Sequence, residues 1–277
     1  MNIDGNTELI AHIGYPTHSF KSPLIYNPYF EKEGINALVV PMGCLTEHYP
    51  VFLRSVFQLT NIRGALITMP HKVTTPGLLD QVTPAVKVAG ACNAVKLDAQ
   101  GRLVGDMFDG AGFVRGVQRK GFDLTGKRAM VVGTGGVGSA IAASLAAEKI
   151  NAISLFDVNT SACEALAQRL VNEYPHIQVN TGSNDPDGHE LVVNATPMGM
   201  NDGDPLPIDV SRLAPETFVG EVVMRTEMTA FLQAAQSRGC RVQLGSDMLF
   251  EQIPAYLEYF GFKTTTADVL RTVANLG

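Results

Sequence analysis

The feature that most constrains this chain is one stretch, Ala129-Met-Val-Val-Gly-Thr-Gly-Gly-Val-Gly-Ser-Ala140. Residues 130–132 are a short apolar run that reads as a buried parallel strand. Gly133, Gly135 and Gly138 follow at G-x-G-x-x-G spacing, and the Ala-rich residues 139–149 read as a helix. Gly133 permits the tight turn, Gly135 lets a pyrophosphate approach the backbone, and Gly138 lets helix and strand pack closely. The free N–H groups around Gly136 and Val137 at the helix start would face the phosphates. A second strand, 152–156, ends at Asp157, about 20 residues past the last glycine, where a carboxylate would accept from ribose hydroxyls. The order strand, glycine loop, helix, strand, acid predicts a dinucleotide site, the alternative being a βαβ turn without a ligand.

Composition narrows the setting. The 277 residues suffice for two domains, and 17% charged with 45% hydrophobic content is that of a globular chain. A net charge of −6 with scattered Lys and Arg argues against a nucleic-acid partner. No apolar run is long enough to span a membrane, and the polar start Met1-Asn-Ile-Asp-Gly lacks the features of a secretory leader. Cys44, Cys92, Cys163 and Cys240 lie far apart, which suggests neither a metal site nor a disulfide framework. A cytoplasmic, metal-free enzyme, monomer or homodimer, with a small-molecule partner is the expectation.

Strand and helix patterns alternate before the glycine loop. Strands are expected at 9–13, 37–41, 65–68, 91–97 and 103–106, with helices from Ser22-Pro23, at 49–58 and at 83–88. A connecting helix at 113–120 leads to the glycine loop. Strands at 191–196, 218–223 and 242–245 follow, with helices at 230–236 and 248–259. The fold class is therefore α/β with two domains. An N-terminal α/β substrate domain comprises residues 1–110 and 244–277. A Rossmann-type, doubly wound parallel sheet comprises residues 111–243.

A dinucleotide that carries hydride needs a protein group to manage one proton. Lys72 follows the third strand through a Pro, and Asp109 follows the fifth just before the connecting helix. A desolvated Lys could pass the proton while a carboxylate orients it and supports its charged form. Spacing alone favours two solvated surface charges. The segments 14–23, 64–72, 90–95, 105–113, 131–140, 194–200 and 245–252 change that, because in order they resemble the motif set of the shikimate dehydrogenase family.

Thr68-Met-Pro-His-Lys72 resembles V-T-x-P-x-K, which implies Lys72 as the catalytic lysine and Thr68 near the substrate. Gly90-Ala-Cys-Asn-Ala-Val95 resembles G-A-x-N-T, which implies Asn93 as a hydroxyl binder. Asp109-Gly-Ala-Gly112 resembles the catalytic Asp segment, and Ser22-Pro23 the end of H-S-x-S-P. Asn194-Ala-Thr-Pro-Met-Gly-Met200 resembles N-A-T-x-x-G-M, which implies Thr196 on the nicotinamide side. Val222, Gly245 and Met248 are implied there too, and Gln252 as a substrate ligand.

The chain departs from the pattern at Phe20, Leu66, Met107, Phe108, Met224 and Asp247. Phe20 and Met224 stand where the family has a Ser and a Tyr that hold a substrate carboxylate. Each lost hydrogen bond to an anion is worth about 1.5–3 kcal/mol. The resemblance implies reversible oxidation of a ring hydroxyl of shikimate, quinate or a related cyclic hydroxy acid. A less polar substrate, or a nucleotide-binding regulator without turnover, are the alternatives. NADP-linked members often carry Asn-Arg-Thr after the second nucleotide strand. Here Asp157 would repel a 2′-phosphate and the next basic residue is Arg169, which favours NAD over NADP. His12, His18, His48, His176 and His189 read as surface or loop residues. His71 either tunes Lys72 or faces solvent.

Overall fold

The computed structural model describes residues 3–276. The chain divides into two compact units. One holds the residues up to Val86, Gly90–Phe108 and those from Ile253 on; the other holds Lys87–Ala89 and Asp109–Gln252.

The first unit is built on a mixed sheet of six strands, β1 (Glu8–Gly14), β2 (Ala37–Gly43), β3 (Ile62–Ile67), β4 (Gln81–Val82), β5 (Ala94–Leu97) and β6 (Leu103–Asp106), in the order β2-β1-β3-β5-β6-β4. β1 pairs in parallel with β2 and β3, whereas β5 runs antiparallel to β3 and β6. The parallel pairs are joined through helices α1 (Pro23–Glu33) and α2 (Tyr49–Val56), and the antiparallel pair by the turn at Asp98–Gly101. Pro23 opens α1 in its first turn and Gly34, with φ of 66°, closes it. Helix α3 (Pro84–Ala89) starts at a Pro in the same way.

β1 lies between β2 and β3 and is buried from Ile10 to Gly14. His12 therefore sits inside the sheet at 6% exposure, and His71 is 0% exposed. His12 is therefore not the surface or loop residue expected from the sequence, and of the two roles left open for His71 the solvent-facing one is excluded. A strand whose sheet is covered on both faces buries successive positions alike, as Ile10–Gly14 are here, so a His in that run is buried with its apolar neighbours.

The second unit is a six-stranded sheet of β7 (Arg128–Val132), β8 (Ala152–Phe156), β9 (Gln178–Thr181), β10 (Leu191–Asn194), β11 (Phe218–Glu221) and β12 (Arg241–Gln243), in the order β12-β11-β10-β7-β8-β9. All its pairings are parallel. Helices α4 (Asp109–Arg119), α5 (Gly136–Ala147), α6 (Thr160–Glu173) and α7 (Ala230–Ser237) belong to this unit. α8 (Gly245–Phe260) crosses from one unit's residues to the other's at Gln252–Ile253, and α9 (Ala267–Val273) ends the chain's regular structure. One core gathers Phe113, Val131, Ile141, Leu145, Leu155, Leu166, Leu191 and Phe218, all at 0% exposure. Both α4 and α5 start earlier than their apolar patterns suggest, because Asp109 and Gly136 supply helix N-termini rather than loop. No helix among the described residues is long and apolar enough to cross a membrane, and no cluster of metal-ligating side chains occurs among them.

Candidate active site

Numbered along the chain from β7, the second sheet reads 3-2-1-4-5-6, and its strand order reverses between β7 and β10. A crevice opens at the carboxyl ends of the strands at such a point. Here β7 ends in the glycine loop and β10 ends in Ala195-Thr196. Gly133 has φ of 97°, and a Cβ on it would lie 2.8 Å from the Ala195 carbonyl carbon and oxygen. A Cβ on Gly138 would fall 1.9 Å from the Gly133 oxygen, so α5 can approach β7 only without a side chain there. Gly135 and Gly136 are exposed and nothing lies within 4 Å of their Cβ positions. Open space thus faces the first turn of α5, where Gly136, Val137 and Gly138 have no intrahelical acceptor for their N–H groups. A pyrophosphate fits this donor set: two glycines shape the turn and two leave room over it.

Asp157, just past β8, has both oxygens engaged by its neighbours. Its Oδ2 accepts from the Thr134 N–H (2.6 Å) and hydroxyl (2.9 Å), and its Oδ1 from the Asn159 N–H (2.9 Å). Burial would raise its carboxyl, but these donors outweigh it and hold it below the usual range. Asp157 therefore orders the glycine loop as well as offering a carboxylate at the strand end. Val158 beside it is 86% exposed. Arg169, the next basic residue, is committed: its Nε donates to the Val88 carbonyl at 2.7 Å.

The turn after β10 is held by its own side chains. Asn194, 0% exposed, accepts at Oδ1 from the Thr196 N–H (3.1 Å) and hydroxyl (2.6 Å) and donates from Nδ2 to the Met198 carbonyl (3.0 Å). The Thr196 hydroxyl accepts from the Met198 N–H. Val222 donates its N–H to the Asn194 carbonyl. Gly245 starts α8 where a Cβ would lie 2.0 Å from the Val223 oxygen, and Met248 is buried in the core of this unit.

Asp109 is 5% exposed and opens α4. The glycines after it explain the motif. A Cβ on Gly110 would meet the Ala140 oxygen of α5 at 2.0 Å, and one on Gly112 would meet Gln252 and the Met248 oxygen of α8 at 2.7 Å. Gln252 keeps a buried Oε1 without a hydrogen-bond partner. A buried acceptor left unpaired costs about 1–3 kcal/mol, which a ligand hydroxyl would recover.

Lys72, Ser22, Thr68 and Asn93 belong to the first unit, and Asp109 and Gln252 to the second. Lys72 is half-buried, with its carbonyl accepting from the Cys92 N–H. Its segment is fixed by the neighbouring His71, whose ring stacks on Tyr49 at 3.9 Å and whose Nε2 is 2.9 Å from the Cys44 carbonyl. The His71 carbonyl accepts from the Thr75 hydroxyl, which also meets the Tyr49 hydroxyl at 2.6 Å. Asn93 joins its backbone to Ile67 and Asp106 and accepts at Oδ1 from the Phe108 N–H (2.9 Å), which orients its amide. Thr68 donates its N–H to Ile13 and closes the turn that carries Lys72 by accepting from His71. Ser22 precedes α1 in helical conformation and makes no capping bond with its side chain.

Phe20 stacks on His12 with ring centroids 4.0 Å apart. A Cβ on Gly14 would meet Thr68, the Met69 oxygen and the Phe20 ring at 2.4, 2.7 and 3.0 Å, so the glycine makes room for both side chains. Burial, reinforced by the Lys72 charge, pushes the His12 imidazole down to about 4. Leu66 and Met107 are buried in the core, whereas Met224 is 46% exposed.

The strand order and the glycine cradle at its reversal define the second unit as a dinucleotide-binding domain of the kind found in oxidoreductases. Residues 12–95 match the shikimate dehydrogenase substrate binding domain. Over 254 residues the chain is 32% identical to shikimate dehydrogenase (NADP(+)) of Rubrobacter xylanophilus, covering 90% of this chain and 89% of the relative. It is 31% identical to quinate/shikimate dehydrogenase of Escherichia coli, covering 91% of each. A solved shikimate 5-dehydrogenase of Listeria monocytogenes, in complex with shikimate and NAD, superimposes with a TM-score of 0.91 at 26% identity, over 99% of this chain and 98% of the other. The chain belongs to the shikimate dehydrogenase family, oxidoreductases that act on a CH–OH group with a nicotinamide dinucleotide.

Proposed function

We propose that this protein catalyses the reversible, NAD-linked oxidation of a ring hydroxyl on a cyclic hydroxy acid of the shikimate or quinate type. The observation that carries the reading is the glycine cradle with Asp157 at the end of the following strand. For the cofactor, Asp157 would put an anion near a 2′-phosphate, the Val158 side chain offers it no donor, and Arg169 is engaged elsewhere. The dinucleotide, when bound, supplies the hydride acceptor. Gly133, Gly135, Gly136, Val137, Gly138 and Asp157 would hold its pyrophosphate and ribose, with Thr196, Val222, Gly245 and Met248 toward the nicotinamide.

Lys72 of the first unit is the group proposed to exchange the proton of the reacting hydroxyl, and Asp109 of the second is the carboxylate proposed for the same reaction. Ser22, Thr68, Asn93 and the unpartnered Gln252 Oε1 supply polar groups for the remaining hydroxyls. The stack of Phe20 on His12 favours a second reading, a less anionic substrate, because it offers an apolar ring where the resemblance has a hydroxyl donor.

Reduction of NAD and NADP is measured with shikimate, quinate and uncharged polyols, for the wild type and Lys72→Ala. Turnover of a cyclic acid with NAD, lowered about 10²- to 10⁴-fold in the variant, supports the proposal. Turnover of polyols alone favours the second reading. Dinucleotide binding with no turnover of any alcohol refutes both.

A further inference from the structure

Glu221 is the last residue of β11 and pairs in register with Asn194 of β10. It is 0% exposed, an acid at the end of an otherwise apolar strand. Its Oε2 accepts from the Thr229 hydroxyl at 2.9 Å, and its Oε1 is buried with no hydrogen-bond partner. Thr229 also caps α7, accepting from the Leu232 N–H, and its methyl lies 3.4 Å from the Cβ position of Gly199. Glu221 thus stands behind both ends of the 194–200 turn: Asn194, which binds Thr196 and Met198, and Thr229, which packs on Gly199.

We propose that Glu221 is a positioning residue which, acting through Asn194 and Thr229, sets the 194–200 turn for the nicotinamide end of the dinucleotide and does so best as a carboxylate. The inference rests on the reading that this turn meets the nicotinamide. A carboxylate can only accept, which suits the Thr229 hydroxyl and the amide end of Asn194. Protonation would create an O–H donor that competes for Asn194 Oδ1, the atom that holds Thr196 twice. Burial pushes Glu221 up to about 7, against the pull of Thr229 and Asn194, so the exchange falls in the neutral range. Among the described residues the groups acting on it are neutral: Asn194 from β10 and Thr229 from the α7 cap. Past β12, the acid Asp247 is paired with Lys120 at 3.2 Å.

The test is equilibrium binding of NADH, and of ADP-ribose as the same ligand without nicotinamide, from pH 5.5 to 8.5. The wild type should bind NADH about three- to tenfold more weakly at the acid end, a modest population shift of the turn, while ADP-ribose changes little. Glu221→Gln should flatten the NADH profile near its acid value. Thr229→Val removes a donor that lowers the Glu221 carboxyl, so the inflection should move to higher pH. Thermal unfolding of each variant shows whether it is folded, and Thr229→Val carries the test should Glu221→Gln fail to fold. An unchanged inflection in either folded variant, or an equal pH dependence for ADP-ribose, overturns the inference. Failure of wild-type NADH to bind at any pH overturns the nucleotide reading itself.

Discussion

Replacing His12 by Leu should remove much of the acid sensitivity of this protein. The imidazole is 6% exposed, its Nδ1 has no hydrogen-bond partner, and burial with the Lys72 charge brings it to about 4 from 6.5. The unfolded chain therefore takes up the proton below about pH 6.5, whereas the folded protein resists until about pH 4. Stability carried by the neutral form is complete above pH 6.5 and declines as pH falls toward 4. At about 1.4 kcal/mol per pH unit of difference, the whole effect is about 3 kcal/mol, of which about 2.5 should appear between pH 7.5 and 4.5. Carboxylates elsewhere contribute equally to both proteins, so the difference between the two isolates His12. The assay is urea unfolding followed by far-ultraviolet circular dichroism at half-unit pH steps. The wild type should lose about 2.5 kcal/mol more than His12→Leu over that interval. Parallel acid limbs would refute the reasoning, since a Leu has nothing to titrate.

Three further outcomes follow from the second unit. Gly138→Ala must displace the Gly133 oxygen and should cost about 1–3 kcal/mol in thermal unfolding, whereas Gly135→Ala, with open space at its Cβ, should unfold like the wild type yet weaken NADH in a binding titration. Val158→Arg places a guanidinium on an 86% exposed site beside Asp157, the proposed ribose ligand, and should raise NADP use relative to NAD by about tenfold in kcat/KM. Glu221→Gln should gain stability relative to the wild type as pH rises from 5 to 8. The folded carboxyl is raised to about 7 from 4.5, so its ionisation at alkaline pH costs the wild type up to about 3 kcal/mol.

The glycine loop was legible because each glycine answers a local need, and local needs are written at fixed spacing. The parallel strands 130–132, 152–156 and 191–194 were legible as apolar runs for the same reason. Helix α6, strand β9 and helix α9 went unread. β9 is a polar edge strand of which no residue is buried, and α6 buries only Cys163, Leu166 and Leu170 along one stripe, so neither presents the continuous apolar signal of a buried element.

The sequence by itself determined the glycine turn, the α/β alternation and the acid after the second strand of the second unit. Those depend on neighbours within a few residues. Only the tertiary structure decided that Asp157 also holds Thr134, that Arg169 is spent on Val88, that His12 and His71 are buried, and that Glu221 lies behind the 194–200 turn. Each of these joins residues far apart in the chain. Burial and partner choice there are set by strand order and register, which no local pattern carries.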